Sequence, residues 1–189
     1  MYEDIQSAAA KVCAESTSTD PIAIAKRLMA IEGVPVNGPV HHLLDGAALL
    51  AAMRNAGADV DLGACLGELF ERGSMMPGAI CGRWGVCGSA ASVGAALSAW
   101  RGTGPMSGDQ YYADNLELTS RVLAEEAKLG GPRCCKRNAF TALRVASEFV
   151  RERYGIAVHA SMPVCGYFKA NKNSCIRDRC PYYPSQPYL

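Results

Sequence analysis

Three cysteines near the C-terminus have the type and spacing of metal ligands. In "CGYFKANKNSCIRDRCPYYP" they are Cys165, Cys175 and Cys180, and a proline follows the last one. The segment is polar and irregular, so it offers little apolar surface for packing thiols. A metal centre would give such a loop a reason to be ordered. Cys-Pro is common in iron–sulfur ligand runs, although the spacing matches neither a standard zinc finger nor a ferredoxin. A flexible tail with free thiols is the alternative.

A second pair of cysteines lies in a glycine-rich loop. In "CGRWGVCG", Cys81 and Cys87 are six residues apart and three glycines accompany them. Glycine allows the backbone to approach a ligand closely, so these thiols could bind a metal or handle sulfur of a substrate. The alternative for Cys87 is packing, because the helix that follows is small and uncharged on every face, as in a buried helix.

A third motif, "GGPRCCKR", places two thiols side by side among basic residues. Pro132 suits the first helical position, so Cys134 and Cys135 are expected in the first turn, where free N–H groups stabilise thiolates. Adjacent helical residues point about 100° apart. Two different roles are therefore expected, with Cys135 pointing inward and Cys134 sideways. A buried apolar role for Cys135 and a surface thiol for Cys134 remain as alternatives.

Two histidines and an aspartate fall within one helical turn of "GPVHHLLDGAALL". Either His41 or His42 could be a ligand or a general acid, with Asp45 fixing its tautomer. A solvated N-terminal turn accounts equally well for the same three residues.

The composition narrows the class of protein. Hydrophobic residues make up 49% and charged residues 20% of the 189 residues, and 19 basic against 18 acidic residues give a net charge of +1. This balance predicts no attraction to nucleic acid or membrane. The absence of a signal-like N-terminus predicts a cytoplasmic protein. Nine cysteines, an odd number, favour metal or cluster binding over a disulfide scaffold.

The hydrophobic periodicity predicts an all-α fold of six or seven helices. Helices are expected at 3–15, from Asp20 to Gly33, from Pro39 to Gly57, from Asp61 to Gly73, from Cys87 to Trp100, from Asp109 to Leu129 and from Pro132 to Tyr154. "GIAVHASM" is a strand or an extended linker. Residues 1–189 are expected to form one cysteine-rich domain, with 161–189 as a metal-binding tail packed on it. The chain contains no nucleotide-binding loop, HExxH or CxxC motif.

The motifs together resemble a known family. "GPVHHLLDGAALLAAMRNAG", "RGSMMPGAICGRWGVCG", "GGPRCCKR" and "NKNSCIRDRCP" occur in this order in a domain-of-unknown-function family, family 5714, of methanogens and other anaerobes. Cysteines 81, 87, 134, 135, 165, 175 and 180 and both histidines match its positions. Cys13 and Cys65 fall outside its motifs and are interpreted as packing. The anaerobic setting implied by the resemblance favours an oxygen-sensitive iron–sulfur centre over zinc.

The resulting hypothesis is a cytoplasmic [4Fe–4S] protein, expected to be an enzyme acting on a small sulfur-containing or anionic substrate. Its partners would be that substrate or a redox protein. Cys165, Cys175 and Cys180 would bind the cluster. Cys135 is the preferred fourth ligand and Cys134 the alternative.

The remaining residues take supporting roles in this hypothesis. Cys87 is predicted as a ligand at a second site, and Arg133, Lys136 and Arg137 would favour negative charge. The predicted catalytic residues are His41, His42, Cys81 and Cys134. A zinc- or metalloid-binding module without catalysis is one alternative. A metal-free thiol redox protein using the adjacent cysteine pair is another.

Overall fold

The regular secondary structure of the chain is α-helical, and the segment after the last helix is largely irregular. A computed structural model describes residues 2–184, and within that range it contains eight α-helices and no strand. The helices are α1 Tyr2–Glu15, α2 Pro21–Met29, α3 His41–Asn55, α4 Leu62–Met75, α5 Ile80–Arg83, α6 Gly88–Arg101, α7 Gln110–Leu129 and α8 Cys135–Tyr154, with a 3-10 turn at Arg177–Arg179. The predicted all-α class is confirmed. The helix count exceeds the prediction because α5 is a single turn inside the expected loop. "GIAVHASM" forms neither a helix nor a strand.

Aspartate side chains begin three of the helices, as their sequence positions predict. Asp20 accepts a hydrogen bond from the Ile22 N–H at 2.9 Å, and Asp61 accepts one from the Ala64 N–H at 3.1 Å. Asp109 caps α7 in the same way. Each carboxylate satisfies a backbone donor that has no partner within its helix.

The small-residue helix α6 lies at the centre, packed against α3, α4, α7 and α8. Its closest approach is to α3, where the Ser92 hydroxyl accepts a hydrogen bond from the Gly46 N–H at 2.9 Å. A Cβ atom at Gly46 would lie only 2.5 Å from the Ser92 carbonyl oxygen. The prediction that this helix is buried is therefore right, and its small residues allow the close contact.

Helix α8 begins later than its proline suggests. Pro132 precedes the helix by three residues, and Cys134 is the extended residue that caps it. The Cys134 sulfur accepts the Arg137 N–H at 3.5 Å, as a capping side chain does. The prediction that both cysteines lie inside the first turn is wrong for Cys134, because its thiol caps the helix from outside.

Tyr182 is one of the residues that pack the C-terminal segment against the helices. Tyr182 is 2% exposed, its hydroxyl shares a 3.0 Å hydrogen bond with that of Thr141, and its ring contacts Phe140 edge-on. Its carbonyl accepts the Cys165 N–H at 2.7 Å, which closes the loop between them. Residues 185–189 of the predicted tail lie outside the described residues. From residue 2 to residue 184, no helix has the length and apolar character needed to cross a membrane.

Candidate metal and thiol sites

Four cysteines line a single pocket between the start of α8 and the C-terminal segment. They are Cys134, Cys165, Cys175 and Cys180, and we call this site the four-thiol pocket. Its empty volume is about 370 Å³, including the space at its mouth. The rest of the wall is mostly apolar or aromatic: Phe140, Tyr167, Phe168, Ile176, Tyr182 and Tyr183. The lining combines soft ligands with a low-dielectric surround.

Backbone N–H groups donate hydrogen bonds to three of the four sulfur atoms. The donors are Arg137 to Cys134 at 3.5 Å, Tyr167 to Cys165 at 3.4 Å and Arg177 to Cys175 at 3.4 Å. The Tyr182 backbone lowers the pKa of Cys180. Such bonds stabilise negative charge on sulfur, so they suit bound thiolates better than free thiols.

Two buried cations lie beside the same pocket. Lys136 is 1% exposed, and its ammonium lies 4.6 Å from the centre of the Tyr167 ring without a hydrogen-bond partner. Arg137 is 4% exposed and donates to the carbonyls of Gly130 and Pro132, while its Nε has no partner. Buried cations without a full set of acceptors are costly unless negative charge lies nearby. The surroundings therefore fit an anionic occupant.

The thiols of this pocket oppose one another's ionisation. Burial raises the pKa of Cys165 and of Cys180, and the charges of the neighbouring cysteines raise both further. The Arg137 guanidinium acts in the opposite direction on the pKa of Cys180. Four thiolates would repel each other strongly here unless metal cations compensated their charge.

A zinc ion and a [4Fe–4S] cluster require different separations between four thiolates. Among residues 2–184, no three His, Cys, Asp or Glu side chains are grouped closely enough to hold one metal ion. Four thiolates on one zinc ion lie about 3.8 Å apart, given Zn–S bonds of about 2.3 Å and tetrahedral geometry. In a [4Fe–4S] cluster each thiolate binds a different iron, so the sulfur atoms lie farther apart around a wider space.

An asparagine joins the helix start to the tail. The Asn37 side chain accepts the Cys135 N–H at 2.9 Å and donates to the Asn171 side chain at 2.9 Å. Asn171 in turn accepts the Cys175 N–H through its backbone carbonyl. This chain of hydrogen bonds holds one tail cysteine in place relative to α8.

A second pocket lies on the other side of the α8 start. Three thiols and two imidazoles line it, and we call it the three-thiol pocket: Cys81, Cys87, Cys135, His41 and His42. Its empty volume is about 380 Å³, including the open space at its mouth, and Arg133, Asn138 and the Gly38 and Gly88 backbone complete much of the wall. The two adjacent cysteines therefore line different pockets, Cys134 the four-thiol pocket and Cys135 the three-thiol pocket.

Cys87 is the most strongly perturbed thiol of the second pocket. Burial raises its pKa to about 12, and the charge of the Glu126 carboxylate raises it as well. The Asn138 amide donates to its sulfur at 3.1 Å, and the Ser89 N–H also lowers its pKa. Burial outweighs these donors, so Cys87 is a protonated thiol at neutral pH.

The two histidines are buried and neutral. His41 is 1% exposed, its Nε2 lies 3.2 Å from the Pro35 carbonyl oxygen, and burial lowers its pKa to about 4. The His42 ring lies on Gly88, where a Cβ atom would be 1.9 Å from its Cδ2. Asp45 is completely buried, which raises its pKa to about 7. The solvated-turn interpretation of these three residues is therefore wrong.

Two polar neighbours of Cys87, Glu126 and Asn138, were not singled out by the sequence. Glu126 is 9% exposed and follows Leu118 and Val122 at four-residue spacing, so an acid on an otherwise apolar stripe was the available signal. Asn138 lies three residues after Cys135 and therefore on the same face of α8. Both signals are visible only once the register of the helix is known.

Backbone strain accompanies both pockets. In the described part of the chain, two non-glycine residues have left-handed backbone angles: Ala79 at φ 67° and Arg177 at φ 50°. Ala79 lines the three-thiol pocket, and the Arg177 N–H points at the Cys175 sulfur. Such strain tends to concentrate at functional sites.

The remaining predicted residues are also located. Arg133 lines the three-thiol pocket, Arg137 lines the four-thiol pocket, and Lys136 lies between them. Cys13 and Cys65, interpreted as packing, are in the hydrophobic core. All nine cysteines are free thiols.

Comparison with known proteins gives one match. The model of a family of unknown function, DUF5714, matches residues 9–183. No curated protein and no solved structure matches the chain.

Proposed function

The chain belongs to DUF5714, a family of unknown function, and we propose that it is a redox protein that binds a [4Fe–4S] cluster in the four-thiol pocket. The ligands would be Cys134, Cys165, Cys175 and Cys180. One observation carries the proposal: four thiols surround one pocket, and three of them receive a backbone N–H hydrogen bond. Four cysteine ligands and N–H···S bonds are typical of such clusters.

The charges around the pocket support the same occupant. A cluster held by four thiolates carries net negative charge, and Lys136 and Arg137 are buried cations beside it. The cations would offset the cost of burying that charge, while the thiolates would give the cations their missing partners.

The number of cysteine ligands determines whether an iron of the cluster is open to a substrate. When bound, such a cluster supplies one-electron transfer. Four protein thiols leave no iron open to a substrate, so electron transfer is favoured over the Lewis-acid role that a three-cysteine site would allow. The aromatic wall would keep water away from the sulfur atoms, which tunes the reduction potential.

The fourth ligand in this proposal differs from the preferred residue of the sequence hypothesis. Cys134 shares the pocket of the tail cysteines, whereas the sulfur of Cys135 lies 4.0 Å from the Gly38 carbonyl oxygen on the other pocket. The positions therefore favour Cys134.

We also propose a cytoplasmic location in an anaerobic cell. Nine free thiols are typical of a reducing compartment, and an iron–sulfur centre would be protected there from oxygen.

The test is purification without oxygen, followed by an absorption spectrum and iron, sulfide and zinc analysis of the same sample. The expected result is a brown protein with a broad band near about 400 nm and equal amounts of iron and sulfide. A colourless protein with stoichiometric zinc would overturn the proposal and establish the zinc-module alternative. A protein with neither metal would overturn both.

A further inference from the structure

The three-thiol pocket contains reactive groups that the proposed cluster does not use. Cys81 and Cys87 line it together, and so do the two buried histidines. Natural proteins seldom bury polar and ionisable groups at this density without a functional reason. We therefore expect this pocket to have a chemical role separate from that of the proposed cluster.

The two thiols differ in what surrounds them, although both are half-buried. Cys81 lies in the one-turn helix α5, directly before the exposed residues 82–86. Cys87 is the N-cap residue of α6, and the Asn138 amide donates to its sulfur at 3.1 Å. The thiol beside the exposed segment suits a first attack, and the thiol held by Asn138 suits a second.

The chain between the two cysteines can bring their sulfur atoms together. Residues 82–86 are all exposed, and glycines occupy positions 82 and 85. No atom outside the immediate chain neighbours lies within 4 Å of a Cβ atom placed at either glycine. Gly82 and Arg83 end α5, so the exposed residues 84–86 are the part of the linker that would adjust to the separation that a disulfide demands.

We propose that Cys81 and Cys87 are a redox-active dithiol that reduces a small-molecule disulfide bound at the mouth of the three-thiol pocket. The Cys81 sulfur attacks one sulfur of the substrate, a Cys81–substrate disulfide forms, and the substrate S–S bond breaks to release one thiol. The Cys87 sulfur then attacks Cys81, the Cys81–Cys87 disulfide forms, and the second substrate thiol leaves.

The reaction balances without another reactant. The two cysteines lose two electrons in total, and the substrate disulfide gains them. Each departing substrate sulfur takes the proton that a cysteine loses. Glu126 beside Cys87 can carry the proton of the second step.

Peptide mapping tests the proposal directly, because Arg83 separates the two cysteines. Trypsin cleavage after Arg72, Arg83 and Arg101 gives peptides 73–83 and 84–101, each with one cysteine. The protein as purified is treated anaerobically with bis(2-hydroxyethyl) disulfide, then alkylated and digested. The expected product is the two peptides joined by a disulfide that reduction separates.

Single substitutions resolve the two steps. Cys87→Ser should stop at a mercaptoethanol adduct on peptide 73–83 and release about half as much thiol as the unsubstituted protein. Cys81→Ser should leave peptide 84–101 alkylated and free of adduct. Cys65→Ser, at a buried thiol of α4 outside both pockets, should behave like the unsubstituted protein.

Two results would overturn the dithiol. One is full alkylation of peptides 73–83 and 84–101 with no linked product, and the other is reaction confined to the tail cysteines. The unsubstituted protein alone decides this, so the result does not depend on how the variants fold. Iron analysis of the same sample separates the two proposals: linked peptides without iron sustain the dithiol alone, and iron without linked peptides sustains the cluster alone.

Discussion

The two pockets share one helix start and differ in everything that surrounds their thiols. The four-thiol pocket has an aromatic wall, backbone N–H donors to three of its four sulfur atoms and buried cations beside it. The three-thiol pocket has neutral histidines, and buried carboxyl groups lie close to it. The first environment stabilises fixed negative charge, and the second supplies groups that exchange protons. Cys134, which lines the first pocket, and Cys135, which lines the second, are adjacent residues.

The largest expected effect separates the tail thiols from the core thiols. Cys180→Ser should remove most of the iron, because a cluster that loses one of its four thiolate ligands is held weakly. Iron analysis after anaerobic purification measures this. Cys65→Ser is the matched control, and equal iron loss in both variants would refute the ligand assignment.

The tail should depend on the metal for its order, whereas the helices should not. Lys169, Lys172, Arg177 and Arg179 are trypsin sites in the segment that contains the tail cysteines. Chelation of iron should speed cleavage there on the order of tenfold or more, because metal binding and folding are coupled in such loops.

Digestion followed by mass spectrometry locates the cuts, and Arg54 in α3 serves as the internal reference. Unchanged cleavage of the tail after iron removal would contradict the coupling.

Side-chain packing should matter more at the three-thiol pocket than at the four-thiol pocket. Gly88→Ala would force its new methyl group into the His42 ring, so we expect a loss of about 1–3 kcal/mol, seen as a lower thermal midpoint by circular dichroism. Iron content should stay constant. At Gly67 in α4, no atom outside the helix's own backbone lies within 4 Å of an added Cβ atom. Gly67→Ala should therefore raise stability by up to about 1 kcal/mol. A neutral Gly88→Ala would mean that the ring is free to move.

The smallest effect concerns pH. Burial raises the pKa of Glu126 to about 7 in the folded protein, above its ordinary value of 4.5. Between these values the folded state holds a proton that the unfolded state has lost, so stability falls as pH rises through this window.

Glu126→Gln removes that penalty. It should match the unsubstituted protein below about pH 5 and be more stable by about 1–3 kcal/mol at pH 8. Thermal midpoints at both pH values measure the difference. A variant that is less stable at pH 8 would show that the ionised carboxylate has a favourable partner.

Much of this organisation was predictable from local sequence. The helix starts at Asp20, Asp61 and Asp109 were predictable, because a capping side chain bonds only to residues next to it in the sequence. The burial of α6 was predictable because its own residues are small and uncharged on every face. The divergent directions of the adjacent cysteines were also expected, although Cys134 has extended backbone before the helix rather than a place in its first turn.

Other features depend on contacts between distant segments. The cap at Cys134 involves a thiol, which is not a usual capping group, so Pro132 suggested a start three residues too early. Whether Cys134 or Cys135 meets the tail depends on how Tyr182 and Asn37 dock residues 165–182 onto α8. Glu126 joins the second pocket only when α7 packs on α6, which no local pattern specifies.

The division of the adjacent pair is the central claim, and the iron and sulfide contents of Cys134→Ser and Cys135→Ser, measured side by side, test it most directly. The account predicts that Cys134→Ser retains little iron, while Cys135→Ser retains as much as the unsubstituted protein. Iron loss in Cys135→Ser with retention in Cys134→Ser would contradict it.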